Sequence, residues 1–307
     1  MISLLSEKAS QERPRAYRDM TNSLKERLRW RALLPVEWTK DFYRVSHSSL
    51  SRPCKRAVLG TLAALYLRRL FGNVHTPTEC SILNFQVSTF SLDALTFLYR
   101  EIFVELEYYF ETTKKHPYVI DCGSNIGVSI LFFKTIYPEA KIVGFEPATD
   151  SFKLLKRNIE INGLTDVTIH PFALGENEGR VKFFMEERPG GFVASTDRRR
   201  ASEREETVEQ VCLSNYIDRP VDLLKLDVEG AEREVLNDLV RNGCLEKVNQ
   251  MIIEYHHHLD EDEDHFSEFL EHLEHNGFGY LLRSELGQNR TRGRFQDFLI
   301  YAYRKDV

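Results

Sequence analysis

The chain has 307 residues, of which 42% are hydrophobic and 29% are charged, a composition typical of a globular protein and not of a disordered or fibrous one. Its five cysteines are scattered without a C-x-x-C pair, which excludes a zinc ribbon and a disulfide framework and indicates a reducing compartment. The net charge is −6 but uneven, because residues 1–75 carry +9 and the remainder carries −15. An acidic main body does not suit the neutralisation of phosphates, so no nucleic-acid partner is expected.

Amphipathic helices are predicted at the basic N-terminal end. Segments 23–34 and 57–70 both place apolar residues three or four positions apart between charged ones. Residues 81–110 join a strand-like stretch, SILNFQVSTF, to a helical one around LTFLYREIFVELEYYF. The longest apolar run, 57–67, is too short to span a bilayer, and the first residues lack the basic and apolar parts of a secretory signal. A cytoplasmic protein without a membrane span is therefore expected.

From Tyr118 onward, short apolar runs alternate with helical periods. The runs that we interpret as strands lie at 118–122, 141–146, 167–172, 221–227, 248–255, 279–283 and 297–303. Helical periods separate most of them, as in the spacing of Ile126, Ile130 and Phe133 after the first strand. Strands and helices in alternation predict an α/β fold with right-handed crossovers and a parallel sheet covered on both faces.

Two places depart from this alternation. Turn residues in 175–186 and a strand-like run at 207–213 predict an excursion between the third and fourth strands of the sheet. Residues 284–296 form a polar loop that contains glycine and shows no helical periodicity. The last strand is therefore expected to insert antiparallel beside its predecessor, which distinguishes the sheet from a symmetric dinucleotide-binding one.

The motif Asp121-Cys-Gly123-Ser-Asn125-Ile-Gly127 lies where the first strand ends and a helix begins, the place where open α/β sheets bind ligands. Glycines there allow the backbone to approach a bound molecule closely, and the aspartate adds a carboxylate at the strand end. Glu146, at the end of the second strand, can accept hydrogen bonds from both hydroxyls of a ribose. A bare strand-to-helix turn would also explain the motif, but the acidic residue at the second strand favours a ligand site.

The glycine spacing discriminates between two nucleotide ligands. A nicotinamide dinucleotide site needs G-x-G-x-x-G with a helix N-terminus that faces the pyrophosphate, and here Asn125 replaces the second glycine. A ligand with an adenosyl ribose, no phosphate, a positive centre and an amino-acid ammonium suits the carboxylate of Asp121 better. S-adenosylmethionine meets these requirements, so a nicotinamide-dependent oxidoreductase is the less favoured alternative.

Five segments together resemble the FkbM-type methyltransferases, a class I family that depends on S-adenosylmethionine. They are VIDCGSNIGVSILFF (119–133), GFEP (144–147), NGLTDV (162–167), ALGENEG (173–179) and LLKLDVEGAEREVL (223–236). The resemblance implies a Rossmann-like, mostly parallel seven-stranded sheet, and O-methylation of a hydroxyl on a sugar, polyketide or other natural product. It extends roughly from Glu101 to Tyr303, so the residues before it leave the identity of the acceptor open.

When the family's motif positions are matched to this sequence, the resemblance implies a binding site for the methyl donor at the ends of several strands. The residues expected to bind the donor are Asp121, Gly123, Ser124, Asn125, Gly127, Glu146, Pro147, Phe172, Ala173 and Asp227. The turn with the glycines would line the methionine and ribose part, Glu146 would hold the ribose, Phe172 and Ala173 would lie near the adenine, and Asp227 would lie beside the sulfonium. Related enzymes often use an acidic residue for the adenine amino group; this chain has none there, so backbone contacts are expected to serve.

A hydroxyl acceptor needs a position in line with the methyl group and a base within hydrogen-bond reach. The candidates at the strand ends are Asp227, Glu229, Glu254 and His256. The Asn/Asp-Pro-Pro-aromatic signature of nucleic-acid N-methyltransferases does not occur in the chain, which favours oxygen over a base nitrogen. As an alternative role, Glu229 could favour the positive end of the following helix.

A metal is the less favoured interpretation of the same residues. Asp227 and Glu254 could hold a divalent ion that acidifies the acceptor hydroxyl, but two carboxylates are too few to indicate a metal site. In the run His256-His257-His258, neighbouring strand residues face opposite ways, so only the first and third share a face. We therefore predict S-adenosylmethionine as the cofactor and no metal site.

These observations predict a division of the chain into two regions and one leading function. Residues 1–116 are expected to form a mainly helical, basic region that acts as a lid, an acceptor platform or a homodimer contact, and residues 117–307 to form the donor-binding domain. The leading hypothesis is an S-adenosylmethionine-dependent O-methyltransferase that acts on a small-molecule or glycan acceptor. The alternative is a catalytically idle methyltransferase-like module that recruits an acidic partner.

Overall fold

The structure of the protein is a computed structural model that describes most of the chain. The described residues are 24–71, 74–185, 194–195, 204–257, 265–284 and 296–305. For residues 24–33, 194–195, 257 and 296–297 the description covers the backbone. Residues 1–23, which belong to the predicted N-terminal region, and His258 lie outside these ranges.

Two long helices and a hairpin precede the main sheet. In chain order these elements are α1 (Leu24–Ser46), α2 (Arg52–Phe71), β1 (Thr78–Ile82), β2 (Phe85–Thr89) and α3 (Leu92–Tyr99). One π-helical segment, Arg100–Val104, continues α3, and Leu106 then adopts a left-handed conformation with φ of 57°. The helix that the sequence predicts as far as residue 110 is therefore too long, because the backbone turns away here. None of the helices in the described ranges combines the length and the apolar character that a bilayer-spanning segment needs.

The remaining elements alternate as the sequence predicts. They are β3 (Tyr118–Cys122), α4 (Val128–Ile136), β4 (Lys141–Phe145), α5 (Thr149–Ile161), β5 (Val167–His170), β6 (Phe172–Leu174), β7 (Gly179–Met185), β8 (Ala194–Ser195), β9 (Arg204–Val211), β10 (Val221–Leu226), α6 (Glu232–Arg241), β11 (Val248–His257), α7 (Phe266–His275), β12 (Phe278–Ser284) and β13 (Gln296–Arg304). Helices thus follow the first, second, fourth and fifth strands of the main sheet.

Seven strands form the main sheet, in the order β12-β13-β11-β10-β3-β4-β5. Neighbouring strands from β11 to β5 run parallel, whereas β13 is antiparallel to both β11 and β12. The predicted Rossmann-like sheet with an antiparallel last strand is therefore confirmed. The chain order reverses at β3, because β4 and β5 lie on one side of it while β10 and β11 lie on the other. Such a switch point opens a crevice at the carboxyl ends of the strands.

The excursion predicted between the third and fourth strands is a second sheet, with the order β6-β9-β7-β8. The single strand predicted over 167–172 is wrong, because β5 stays in the main sheet up to His170 and β6 pairs with β9 from Phe172 onward. Pro171 lies between them. A proline has no N–H group to donate to a ladder, so it ends the first strand and allows the chain to enter the second sheet.

Alternate residues of the central strands face two different hydrophobic cores. Val119 and Leu223 belong to the core that contains α4 and the N-terminal elements, while Ile120 and Leu224 belong to the core beneath α6 and α7. Residues as early as Val45 are part of the first core. The N-terminal elements therefore pack against the sheet, and the division of the chain near residue 116 stays a prediction.

Asn158 of α5 and Asn162, which caps the C-terminal end of α5, fasten the β1–β2 hairpin to this helix. The buried Asn158 accepts a hydrogen bond from the Ser88 amide at 2.8 Å, and it donates to the Ser88 carbonyl at 3.0 Å and the Ile126 carbonyl at 2.9 Å. One turn later, Asn162 makes a similar pair with the main chain of Gln86, at 2.8 and 2.7 Å. Each amide side chain thus replaces a neighbouring strand at the edge of the hairpin, and Asn158 also holds the turn that follows β3.

We expect Asn158→Ala to lower the free energy of unfolding by about 3 kcal/mol, because it leaves the Ser88 amide and the Ile126 carbonyl buried without this partner. Asn162→Ala is the matched control; its pair with Gln86 is exposed, water can replace it, and we expect a loss below about 1 kcal/mol. Urea denaturation of both variants measures the two values. Equal losses would contradict the role assigned to Asn158.

Candidate active site

A cleft opens at the switch point, at the carboxyl ends of β3, β4 and β10. The turn after β3, the ends of the neighbouring strands and the segment before β3 form its wall. Eight of the residues predicted to bind the donor line it, namely Gly123, Ser124, Asn125, Glu146, Pro147, Phe172, Ala173 and Asp227. Asp121 and Gly127, the other two predicted donor residues, lie behind this wall.

The turn after β3 approaches β10 so closely that it leaves no room for a side chain. Gly123 has φ of 88°, and a Cβ atom at this position would collide with the Asp227 carbonyl oxygen. The Asp227 amide in turn donates to the Cys122 carbonyl at 3.1 Å. Asn125 also adopts a left-handed conformation, with φ of 48°, which asparagine tolerates better than most residues. The residue types of the motif therefore fix the shape of the turn.

A buried lysine on β10 holds this turn from beneath. The side chain of Lys225 is 2% exposed, and its ammonium donates to the Gly123 carbonyl at 2.7 Å. The same nitrogen lies 3.2 Å from Asp227 Oδ2 and 3.4 Å from Asp121 Oδ1. Burial disfavours the charged form, but the carboxylates of Asp227 and Asp121 outweigh it and raise the pKa of Lys225. Lys225 is therefore a cation at neutral pH, and it joins the two carboxylates at the strand ends.

Asp121 is fully buried beneath the turn. Its Oδ2 accepts a hydrogen bond from the Ser129 hydroxyl at 2.6 Å, while Oδ1 faces the Lys225 ammonium and makes no hydrogen bond. Gly127 immediately precedes α4 with φ of 92°, and a Cβ atom there would press on Leu155. Both residues therefore act on the cleft through the turn that they shape.

Glu146 lies at the end of β4, beside the turn. Its Oε2 accepts from the Asn125 amide and its Oε1 from the Ala148 amide, both at 2.9 Å. Burial raises the pKa of Glu146 to about 7, although the two hydrogen bonds favour the carboxylate. Each oxygen retains a second lone pair for a ligand. Glu146 is thus an acceptor in the cleft wall whose charge changes near neutral pH.

Two side chains from different parts of the chain contact the carboxylate of Asp227. The Tyr108 hydroxyl donates to its Oδ2 at 3.2 Å, and the Lys225 ammonium lies 3.2 Å from the same oxygen. The ammonium also lies 5.0 Å from the centre of the Tyr108 ring. Burial opposes the charged form of Asp227, but the charge of Lys225 and the hydrogen bonds from Lys225 and the Tyr108 hydroxyl lower its pKa. Asp227 is therefore an anion and a poor proton acceptor at neutral pH.

The other candidate acid–base residues meet at the ends of β10 and β11. The Nε2 atom of the buried His256 lies 3.3 Å from Glu229 Oε2 and 3.9 Å from Glu254 Oε1, and its Nδ1 lies 2.8 Å from Glu232 Oε1. Ligand atoms of Asp227, Glu229 and His256 all lie within 4.8 Å of one another. The structure therefore brings the four candidates into one cluster, in which Asp227 and Glu229 line the cleft.

Glu232 orders the segment between β10 and α6. Its Oε1 accepts from the Gly230 amide at 2.9 Å and from the Val228 amide at 3.3 Å, at the positive end of the helix. The structure therefore gives to Glu232 the helix-end role considered for Glu229. With φ of 57°, Glu229 instead lies next to His256.

Among the polar residues that hold the site in place, Ser129, Lys225 and Glu232 were not predicted from the sequence. The lysine within the apolar run VDLLKLD was an available signal, because a charge in a buried strand requires partners. Ser129 and Glu232 lie in the first turns of helices, where polar residues are common, and so give no comparable signal.

Comparison with known proteins identifies relatives for most of the sheet-forming region. The family model of the methyltransferase FkbM domain matches residues 121–280. Methyltransferase sdnD of Sordaria araneosa is 31% identical over 190 residues, which cover 49% of this chain and 73% of the relative. The 31-O-demethyl-FK506 methyltransferase FkbM of Streptomyces tacrolimicus is 28% identical over 196 residues, 52% of this chain and 74% of the relative.

In two further matches, a smaller share of the relative's length is covered. Methyltransferase 1 of Beauveria bassiana is 28% identical over 165 residues, 47% of this chain and 66% of the relative. The crystal structure of methyltransferase FkbM from Methylobacillus flagellatus is 17% identical, with a TM-score of 0.44, over 89% of this chain and 60% of that chain. This chain thus spans less than two thirds of the length of both. Because the FkbM domain model matches more than half of its residues, the chain belongs to the FkbM family of methyltransferases.

Proposed function

We propose that the protein transfers a methyl group from S-adenosylmethionine to a hydroxyl oxygen of a small-molecule or glycan acceptor. The observation that carries the proposal is Glu146, whose carboxylate lines the cleft at the switch point and is linked to the turn after β3 through the Asn125 amide. A ribose bound there would donate its hydroxyls to the remaining lone pairs of the carboxylate. Membership of a methyltransferase family supports methyl transfer as the chemistry.

The surroundings of Glu146 fit the other parts of this donor. Phe172 and Ala173 line the cleft and offer the apolar surface that an adenine needs. Asp227 is an anion in the same wall, and its charge suits a nearby sulfonium. Asp121 would act through Lys225 and the turn, where it supports the shape that receives the methionine part.

The proposed transfer is an in-line displacement. A bond forms between the acceptor oxygen and the methyl carbon while the carbon–sulfur bond breaks, and the sulfur keeps the electron pair and loses its positive charge. The hydroxyl proton needs an acceptor, and the lowered pKa of Asp227 makes that residue a weak one. We assign this role to Glu254, whose side chain is 31% exposed at the edge of the cluster.

The region before residue 116 is proposed to be an acceptor platform. Leu98, Ile102 and Tyr108 of this region line the cleft, so they are available to contact an acceptor. The Streptomyces relative is a 31-O-demethyl-FK506 methyltransferase, which supports oxygen as the methylated atom. An idle binding module is less favoured, because the residues that would bind the donor lie together in one cleft.

Donor binding tests the proposal. Calorimetry with S-adenosylmethionine should detect one site per chain, and Glu146→Gln should weaken binding by about tenfold to a hundredfold because it removes a charged hydrogen-bond acceptor. Glu160→Gln is the matched control, since Glu160 is exposed on α5, and it should bind like the wild type. Mass spectrometry of hydroxylated acceptors incubated with the donor then reports transfer to oxygen. A wild-type chain that binds no donor would contradict the proposal.

The pKa of Glu146 predicts how donor affinity depends on pH. Because burial raises this pKa to about 7 and the ionised form accepts both ribose hydroxyls, affinity should fall as the pH drops through about 7 and level off above it. Well below this pKa, the donor affinity should fall by about tenfold for each pH unit. Calorimetric titrations from about pH 5.5 to 8.5 measure the profile. A flat wild-type profile, or the same slope in Glu146→Gln, would show that Glu146 does not hold the donor.

A further inference from the structure

We propose that Asp227, Glu229 and His256 bind a divalent transition-metal ion, with Mn²⁺ as the type case, at the acceptor side of the cleft. Their ligand atoms all lie within 4.8 Å of one another. Such ions hold nitrogen and oxygen ligands at about 2.1 Å, which separates ligands around one ion by about 3–4.2 Å. The three side chains therefore need little movement to surround a single ion.

The environment of His256 prepares its Nε2 atom for this role. The side chain is 1% exposed, and its Nδ1 lies 2.8 Å from Glu232 Oε1. Glu232 is itself 2% exposed and is held by the amides of Val228 and Gly230, so it fixes the orientation of the ring. A carboxylate at Nδ1 places the proton on that nitrogen and directs the lone pair of Nε2 toward Glu229. Metal-binding histidines commonly have such a partner behind them.

The cluster is buried on one side and open to the cleft on the other. The side chains of Asp227 and Glu229 are 20% and 22% exposed, and both line the cleft. An ion held by them would keep coordination positions for water or for an acceptor oxygen. One imidazole with two carboxylates suits a divalent transition-metal ion better than Ca²⁺ or Mg²⁺, which prefer oxygen ligands throughout, and Mn²⁺ is the probe of this class.

The chemical role of this ion rests on the proposed function. An acceptor hydroxyl bound to the ion would have a lower pKa, and its proton would pass to Glu254 before or as the carbon–oxygen bond forms. Glu254 lies next to the three ligands, with Oε1 3.9 Å from His256 Nε2. Three of the four acid–base candidates thus act as ligands of the ion, and Glu254 accepts the proton.

A metal-free explanation of the same contacts is a protonated His256 held between Glu229 and Glu232. Both explanations account for the distances of 3.3 and 2.8 Å from the two ring nitrogens to these carboxylates. They differ in one measurable property, because only the metal site predicts that the wild-type chain binds an ion at this position.

The test is a titration of the full chain with Mn²⁺ alone, followed by electron paramagnetic resonance, in which the sharp signal counts the free ion. We expect one bound Mn²⁺ per chain, and loss of that site in both Glu229→Gln and His256→Gln. Glu232→Gln, which removes the negative charge behind the ring but keeps an amide oxygen there, should weaken binding by about tenfold to a hundredfold. The matched control, His272→Gln on α7, should bind Mn²⁺ like the wild type.

Calorimetry with S-adenosylmethionine on the same samples reports folding and donor binding separately from the metal. Since Glu229 is partly exposed, Glu229→Gln keeps the test valid if His256→Gln fails to fold. A wild-type chain that binds no Mn²⁺, or a site that survives both substitutions, would overturn the proposal. A chain that binds Mn²⁺ at these residues but no donor would support the metal site and contradict the proposed function.

Discussion

The geometry of the cleft depends on one buried cation, the ammonium of Lys225. Asp121 and Asp227 lie at the ends of adjacent strands, where two carboxylates in a poorly solvated environment would repel each other. Lys225 lies directly opposite Asp121 in the register of β3 and β10, so the pairing of the strands brings the three charges together. By donating to the Gly123 carbonyl, the same ammonium also ties the turn after β3 to β10. The same buried ammonium thus compensates the two carboxylates and fixes the shape of the turn after β3.

This arrangement divides the cleft into two chemically different sides. On the β4 side, Glu146 is an acceptor with a pKa of about 7 and is suited to a neutral ribose. On the β10 and β11 side, Lys225 and Tyr108 both contact Oδ2 of Asp227, and Glu229, Glu254 and His256 lie beside it. Tyr108 comes from the segment before β3, and its contact with Asp227 links the packing of the N-terminal elements to the electrostatics of the site.

The sequence predicts the local features of this protein better than its long-range ones. Strand β3 matches its predicted bounds, and the motif that follows it could be recognised because its residues are nearly consecutive and lie at a strand end. The partners of Lys225 are different: the Gly123 carbonyl lies 102 positions away, and only the register of two strands brings them together. Glu232 and His256 are similarly 24 positions apart. The division of the third predicted strand at Pro171 depends on a second sheet that periodicity alone does not reveal.

The protonation state of Lys225 tests the central claim most directly. Nitrogen-15 NMR of the lysine side chains, with the Lys225 signal assigned from its absence in Lys225→Met, follows this state in the wild-type chain as the pH rises. Because two carboxylates outweigh the effect of burial, Lys225 should keep its proton beyond pH 10.4 or so, where ordinary exposed lysines lose theirs. A signal that titrates well below those of the exposed lysines would contradict the account, since Asp121 and Asp227 would then not be compensated by this cation.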